Sequence, residues 1–452
     1  MQILRPDAVW TPAGLQHDVG VAVDSGRIIR LVGPERQSGA REVDLPGRLL
    51  VPGLVNAHSH AFQRAFRGHV QWRADTHDDF WSWRERMYAA AVGLDPDGIE
   101  AVSALAFLEM AEAGITQVGE FHYLHHSPDG QPYADPDELA NRVINAALQV
   151  GIRICLLRVL YMRGGVGQPL LPAQARFGDR AAGDALHAVE RLSAHSDPRV
   201  SVGLAPHSVR AVGRAALAEL SSYEGVLHMH VSEQRAENEA CRSEHGCTPT
   251  ELLADLGLLT PRFTAVHLTW PEPGDIGHFA RTGARVCVCP TTELDLGDGF
   301  LPLEVRDLPL ALGSDSQATI DPWLEARSLE LHARALAGRR NVMAPIGDRH
   351  GLAARLLRIA TVGGASALGV QGHGIVPGAP ADLVAVDLRR PAAVGVPPQE
   401  ALVFCATPEW VDRVWVAGEL IVSGGRHPQR EAIVERARIT LARNNAGEPR
   451  PR

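Results

Sequence analysis

Leu49-Leu50-Val51-Pro52-Gly53-Leu54-Val55-Asn56-Ala57-His58-Ser59-His60 is an apolar run that ends in metal-ligand side chains. Alternate residues of a strand face one side, so His58 and His60 lie together at the strand end and can reach one ion. Functional side chains gathered where a buried strand ends are the signature of a parallel barrel. A barrel of this kind requires further runs that end the same way.

Seven follow: Thr116–His122, Arg153–Tyr161, Val200–Pro206, Val226–Val231, Thr264–Leu268, Ala284–Cys289 and Leu308–Gly313. Most intervals carry a helical pattern, as in Ile99–Ala113, which Gly114 closes. With Leu49–Asn56 this makes eight βα units, which predicts an α/β chain with a (β/α)8 TIM barrel. A doubly wound open sheet is the rival, and no GxGxxG follows an early strand to support it.

The two ends read differently. Short alternating strands are expected at Val19–Val23 and Arg27–Leu31, around the turn Asp24-Ser25-Gly26. Others are expected at Asp382–Asp387, Val411–Val416 and Leu420–Val422, with a turn at Gly418. Both termini then complete one small β-sandwich domain. The expected division is 1–50 and 372–428 for the sandwich, 51–371 for the barrel, and 429–452 for a C-terminal helix and tail.

Composition removes several function classes. A net charge of -9 over 452 residues argues against a nucleic-acid-binding face. No apolar run of about 18 residues is present to span a bilayer, and the N-terminus lacks a signal-peptide pattern. A cytoplasmic enzyme with no membrane partner is the expectation. The six cysteines form no CxxC pair, and Cys287 and Cys289 alternate along a strand as ordinary buried thiols. All 44 basic residues are arginine, which excludes a Schiff-base lysine and a Walker-type phosphate lysine.

Three more strand ends carry chemistry. The fifth run gives His228-Met229-His230-Val231-Ser232-Glu233, the sixth gives His267, and the eighth ends in Gly313-Ser314-Asp315-Ser316. Alone, a strand histidine is usually a core residue and an aspartate after a strand is often a helix cap. Recurring at the same end of four strands, they point to a metal site.

At these residues the chain resembles the amidohydrolases. The resemblance spans nearly the whole length, from the Pro52-Gly53-Leu54 lead into His58 and His60 to the phrase Gly374-Ile375-Val376-Pro377-Gly378-Ala379-Pro380-Ala381-Asp382-Leu383. It implies metal ligation by His58, His60, His230 and Asp315, with Glu233, His267 and Asp315 as catalytic groups. Two-metal relatives bridge their ions with a carboxylated lysine, which this chain cannot make. One divalent ion is therefore expected, zinc first among candidates.

Three further phrases, His58-Ser59-His60-Ala61-Phe62-Gln63-Arg64, Glu120-Phe121-His122-Tyr123-Leu124-His125-His126 and Ala205-Pro206-His207-Ser208-Val209-Arg210, resemble the formimidoylglutamate deiminases. One departure is Gln317 in Ser314-Asp315-Ser316-Gln317, where the resemblance leads one to look for histidine. The implied substrate is a small dicarboxylate with a cationic formimidoyl group, and a homodimer is the expected assembly. Gln63, Arg84, Tyr123, His207 and Arg210 are the implied substrate contacts, the arginines because a guanidinium grips a carboxylate with two hydrogen bonds. Two alternatives stay open: a single-metal enzyme deaminating or dehalogenating a heteroaromatic ring, and a scaffold that has lost its metal.

Overall fold

The computed structural model describes residues 1–73 and 78–445. Eight parallel strands lie side by side in chain order: Leu54–Ser59, Ile115–His122, Arg153–Leu160, Val200–Pro206, Leu227–Val231, Phe263–His267, Arg285–Val288 and Leu310–Leu312. They are the first to eighth barrel strands. The last meets the first at the rim through a Ser59–Asp315 bridge, in which the His60 and Asp315 amides donate to Asp315 O and His58 O, each at 3.0 Å. The expected (β/α)8 barrel is thus present.

Helices fall between the strands, and local chemistry sets their ends. The pattern read at Ile99–Ala113 is the helix Pro96–Glu112. Asp95 caps it by accepting from Gly98 N, Pro96 occupies the first turn, and Gly114 (φ 91°) turns the chain out. The C-terminal helix Arg430–Asn445 packs against it. Residues 446–452 of the expected tail lie outside the described residues.

The terminal strands form a second eight-stranded sheet, in the order Glu419–Ser423, Val411–Val416, Leu383–Asp387, Arg41–Pro52, Gln2–Thr11, Gly20–Asp24 and Arg27–Val32, with Gly14–His17 also pairing Gln2–Thr11. All pairings are antiparallel except that of Gln2–Thr11 with Arg41–Pro52. Ile28, near one edge, and Trp415 and Leu383, near the other, share one core with Leu4, Val21 and Leu50. The sheet is therefore folded over itself into a sandwich. The closing phrase seals it, since Ile28 and Gly378 exchange backbone hydrogen bonds with Ala379 and Ile28. Asp382 then latches sandwich to barrel by accepting from Arg153 Nε (2.7 Å) and Ala417 N (2.7 Å).

The structure corrects one reading. Leu49–Asn56 is not a single strand: Arg41–Pro52 belongs to the terminal sheet, and the first barrel strand begins at Leu54. Gly53 is the hinge, and a Cβ there would lie 2.0 Å from Thr116 Oγ1. No polar residue marks the break because both pieces are buried. Among the described residues no helix is long and apolar enough to cross a membrane.

Candidate metal and substrate site

His58 is on the first barrel strand and His60 one residue past it, His230 is on the fifth, and Asp315 follows the eighth. All four are buried, and one ligand atom of each lies within 4.8 Å of every other. Asp315 Oδ1 stands 3.3 Å from His58 Nε2 and 3.2 Å from His60 Nε2, and His230 Nε2 is 3.2 Å from His58 Nε2. Burial pushes the His58 imidazole down to about 3, and His230 well below its ordinary value. Both rings are therefore neutral, with lone pairs to offer.

The rings are also oriented from behind. His60 Nδ1 meets Phe121 O and His230 Nδ1 meets His207 O, each at 3.0 Å. A ring whose Nδ1–H donates to a carbonyl presents an unprotonated Nε2, which is how ligand histidines are held. His58 Nδ1 has no such partner among the described residues. Facing imidazole nitrogens beside a buried carboxylate offer convergent lone pairs and a negative charge, so the four residues fit a divalent ion.

Three acidic side chains surround His267. Its Nε2 faces Glu233 Oε1 at 3.6 Å and Asp315 Oδ2 at 3.7 Å, and its Nδ1 meets Glu293 Oε1 at 3.3 Å. Burial pulls its pKa down, but Glu233, the Glu293 hydrogen bond and Asp315 outweigh it and hold the imidazole well above its usual value. Strain marks the same place: Ser232, His267, Leu268, Asp315 and Gln317 all take φ between 44° and 75°. Such backbone costs of order 1–3 kcal/mol per residue in a side chain with a Cβ.

A pocket opens over this cluster, lined by His60, Gln63, Tyr123, His207, Arg210, Glu233 and Asp315 at its floor and walls. Arg84 also lines it, from the helix Phe80–Val92, stacked 4.6 Å over Trp81 and 5.6 Å from Tyr88. Arg84 Nε, Arg210 Nη1 and Gln63 Oε1 are buried there with no hydrogen-bond partner among the described residues. Gln63 Nε2 donates to Tyr123 Oη at 3.0 Å, and His207 stacks edge-on to Tyr161.

The structure thus brings the expected ligands, catalytic groups and substrate contacts into one site, with an arrangement the sequence did not disclose. Arg210 donates to Glu233 Oε2 at 2.8 Å, and its Nε lies 3.9 Å from Glu237 Oε2. Burial raises Glu237 to about 7, and it accepts from Glu233 N at 3.3 Å. Glu237 lies on the helix Arg235–His245 and Glu233 before it, so their spacing alone gave no signal of the contact. Glu293 had none, because a carboxylate in a helix's first turn reads as a cap. Gln317 is fully buried and does not line the pocket.

Comparison with known proteins agrees with this geometry. The model of the amidohydrolase family matches residues 49–421. The chain is 34% identical over 445 residues to the formimidoylglutamate deiminase of Pseudomonas aeruginosa, covering 95% of this chain and 97% of the relative. Among solved structures, an amidohydrolase from Brucella melitensis superposes with a TM-score of 0.89 at 32% identity, covering 98% of this chain and all of the other. An adenosine deaminase from Xanthomonas campestris with bound zinc superposes with a TM-score of 0.82 at 26% identity, covering 98% of each chain. The chain belongs to the amidohydrolase family and is a hydrolase acting on carbon–nitrogen bonds.

Proposed function

We propose that this enzyme hydrolyses N-formimidoyl-L-glutamate to N-formyl-L-glutamate and ammonia, with one zinc ion held by His58, His60, His230 and Asp315. One observation carries the reading: Arg84 and Arg210 line the same pocket as the cluster of histidines and acids, and Arg84 Nε and Arg210 Nη1 have no hydrogen-bond partner among the described residues. An anionic tail at the arginines places a cationic formimidoyl head at the carboxylates. The 34% identity to the Pseudomonas formimidoylglutamate deiminase supports the same substrate.

A divalent ion bound in the cradle supplies Lewis acidity and brings the pKa of a water from about 15.7 towards about 7. The chain's own groups do the rest. Asp315 accepts the proton that water gives up as its oxygen attacks the formimidoyl carbon. His267 Nε2, between Glu233 and Asp315, orients the attacking water and steadies the charge that develops. Glu233 passes the proton taken from the water to the departing nitrogen, which frees Asp315 to take the proton of the new hydroxyl as the C–N bond breaks, leaving the formyl carbonyl and ammonia. Arg84, Arg210, Gln63, Tyr123 and His207 orient the dicarboxylate end.

A heteroaromatic substrate is the second reading, favoured by the aromatic wall of Phe80, Trp83, Tyr88 and Tyr161. Ammonia release from formimidoylglutamate, measured beside adenosine and a panel of purines and pterins, separates the two. The proposal expects kcat/KM for formimidoylglutamate to exceed that of every ring substrate. A purine turned over faster would overturn it.

A further inference from the structure

Behind the cradle, buried side chains that do not line the pocket form one unbroken chain of hydrogen bonds. Asn56 Nδ2 donates to Ser314 Oγ (2.7 Å), and Ser314 Oγ donates to Gln317 Oε1 (2.9 Å). Gln317 Nε2 donates to Ser59 Oγ (2.8 Å), and Ser59 Oγ donates to Glu120 Oε2 (2.6 Å). The other carboxylate oxygen, Glu120 Oε1, accepts from Ala61 N at 2.7 Å. Each donor thus has its acceptor, and the chain ends on the Glu120 carboxyl group, both of whose oxygens accept. All five residues are buried, Ser59 and Gln317 completely.

We propose that this chain sets the geometry of the cradle, with Glu120 and Gln317 as positioning residues that act through His60 and Asp315. The inference rests on reading His58, His60, His230 and Asp315 as metal ligands. Glu120 grips the backbone on both sides of His60, through the Ser59 hydroxyl and the Ala61 amide. The residue after it, Phe121, supplies the carbonyl that orients the His60 ring. Gln317 Nε2 also donates to Asp315 O at 3.1 Å, so one amide ties the first strand to the loop that presents Asp315. Asp315 and Gln317 both hold left-handed backbone, with φ 44° and 61°. Such conformations persist only where the surroundings over-determine them, and a fully satisfied buried network does that. It also accounts for the glutamine at 317, whose amide donates and accepts at once.

The test uses the full-length zinc-loaded enzyme and the variants Ser59→Ala, Gln317→Leu and the double variant. Transfer of zinc to an excess of a coloured chelator is followed over time, beside kcat, KM and melting temperatures with and without zinc. Release is expected to be about tenfold faster in each single variant, the scale of losing a group that orients a ligand. The kcat should fall while KM stays within about twofold, because neither side chain lines the pocket. The double variant should be no faster than the quicker single one, since both cut the same chain. Release within about twofold of wild type in both single variants would overturn the proposal, as would a double variant whose effects multiply. A lowered melting temperature with unchanged release marks a merely structural role and overturns it too. Should Gln317→Leu not fold, Ser59→Ala, which removes one oxygen, carries the test. Wild-type protein that holds no zinc would instead refute the cradle itself.

Discussion

At the barrel rim the chain buries His58, His60, His230, His267, Glu233 and Asp315 side by side, on a backbone that turns left-handed at five residues with a Cβ. The terminal sheet does the opposite. Its core is Leu4, Val21, Val23, Ile28, Leu50, Leu383 and Trp415, and its left-handed residues Asp18, Ser25 and Ala417 lie in bends and turns between strands. One region gathers buried charge and left-handed backbone at its centre, and the other keeps an apolar core and confines left-handed residues to its bends and turns. Folding is served by the second pattern and chemistry by the first, so substitutions in the two regions should separate cleanly in their effects.

The largest effect is expected at Asp315→Asn. Asparagine keeps the shape but neither carries the charge nor takes the proton. Turnover should fall by about 10⁴-fold or more, the upper range for one positioned acid–base group, because a ligand is lost with it. Metal analysis should show less bound zinc in the same sample. Full zinc with full activity would remove Asp315 from both roles.

Glu233→Gln should come next, with kcat down by roughly 10²–10⁴ while zinc and substrate affinity are kept. If Glu233 served only as a carboxylate before the helix Arg235–His245, the variant would lose about 1 kcal/mol of stability and nothing in rate. Near-normal turnover with a lowered melting temperature would therefore sink the catalytic assignment.

The arginines sharpen the comparison within the pocket. Arg84→Met should cost about 3 kcal/mol in kcat/KM, roughly a hundredfold, with normal metal content. Arg210→Met should lower kcat as well as raise KM, because Arg210 also holds Glu233 at 2.8 Å. Equal and purely KM effects at the two positions would show that the Arg210–Glu233 pair plays no part in turnover.

The smallest effect on rate is expected in the sandwich. Leu50→Ala empties a fully buried position and should cost about 2–5 kcal/mol of stability. Its kcat/KM at a permissive temperature should stay within about twofold of wild type. A large loss of turnover in the folded variant would mean the sandwich is coupled to the chemistry.

The contrast also explains what could be read from residues alone. Cradle positions were legible because metal-ligand side chains recur at the same end of four apolar strands, a coincidence that core histidines and helix caps do not explain. His58 and His60 needed only the two-residue period of a strand. Glu237, Glu293 and Glu120 were not legible in their roles, because their partners are set by how helices and strands meet. Arg210 shows the same limit, since its pairing with Glu233 joins segments 23 residues apart. The apolar run from Leu49 concealed a change of sheet because both of its halves are buried. Only the close approach of Thr116 to Gly53 marks that hinge.

Zinc titration of metal-free enzyme, with ammonia release from formimidoylglutamate as the readout, tests the central claim most directly. The account predicts that activity rises linearly and breaks at one equivalent of zinc per chain, with no further gain beyond it. A break at two equivalents, with both ions needed for turnover, would contradict the proposed single-ion site.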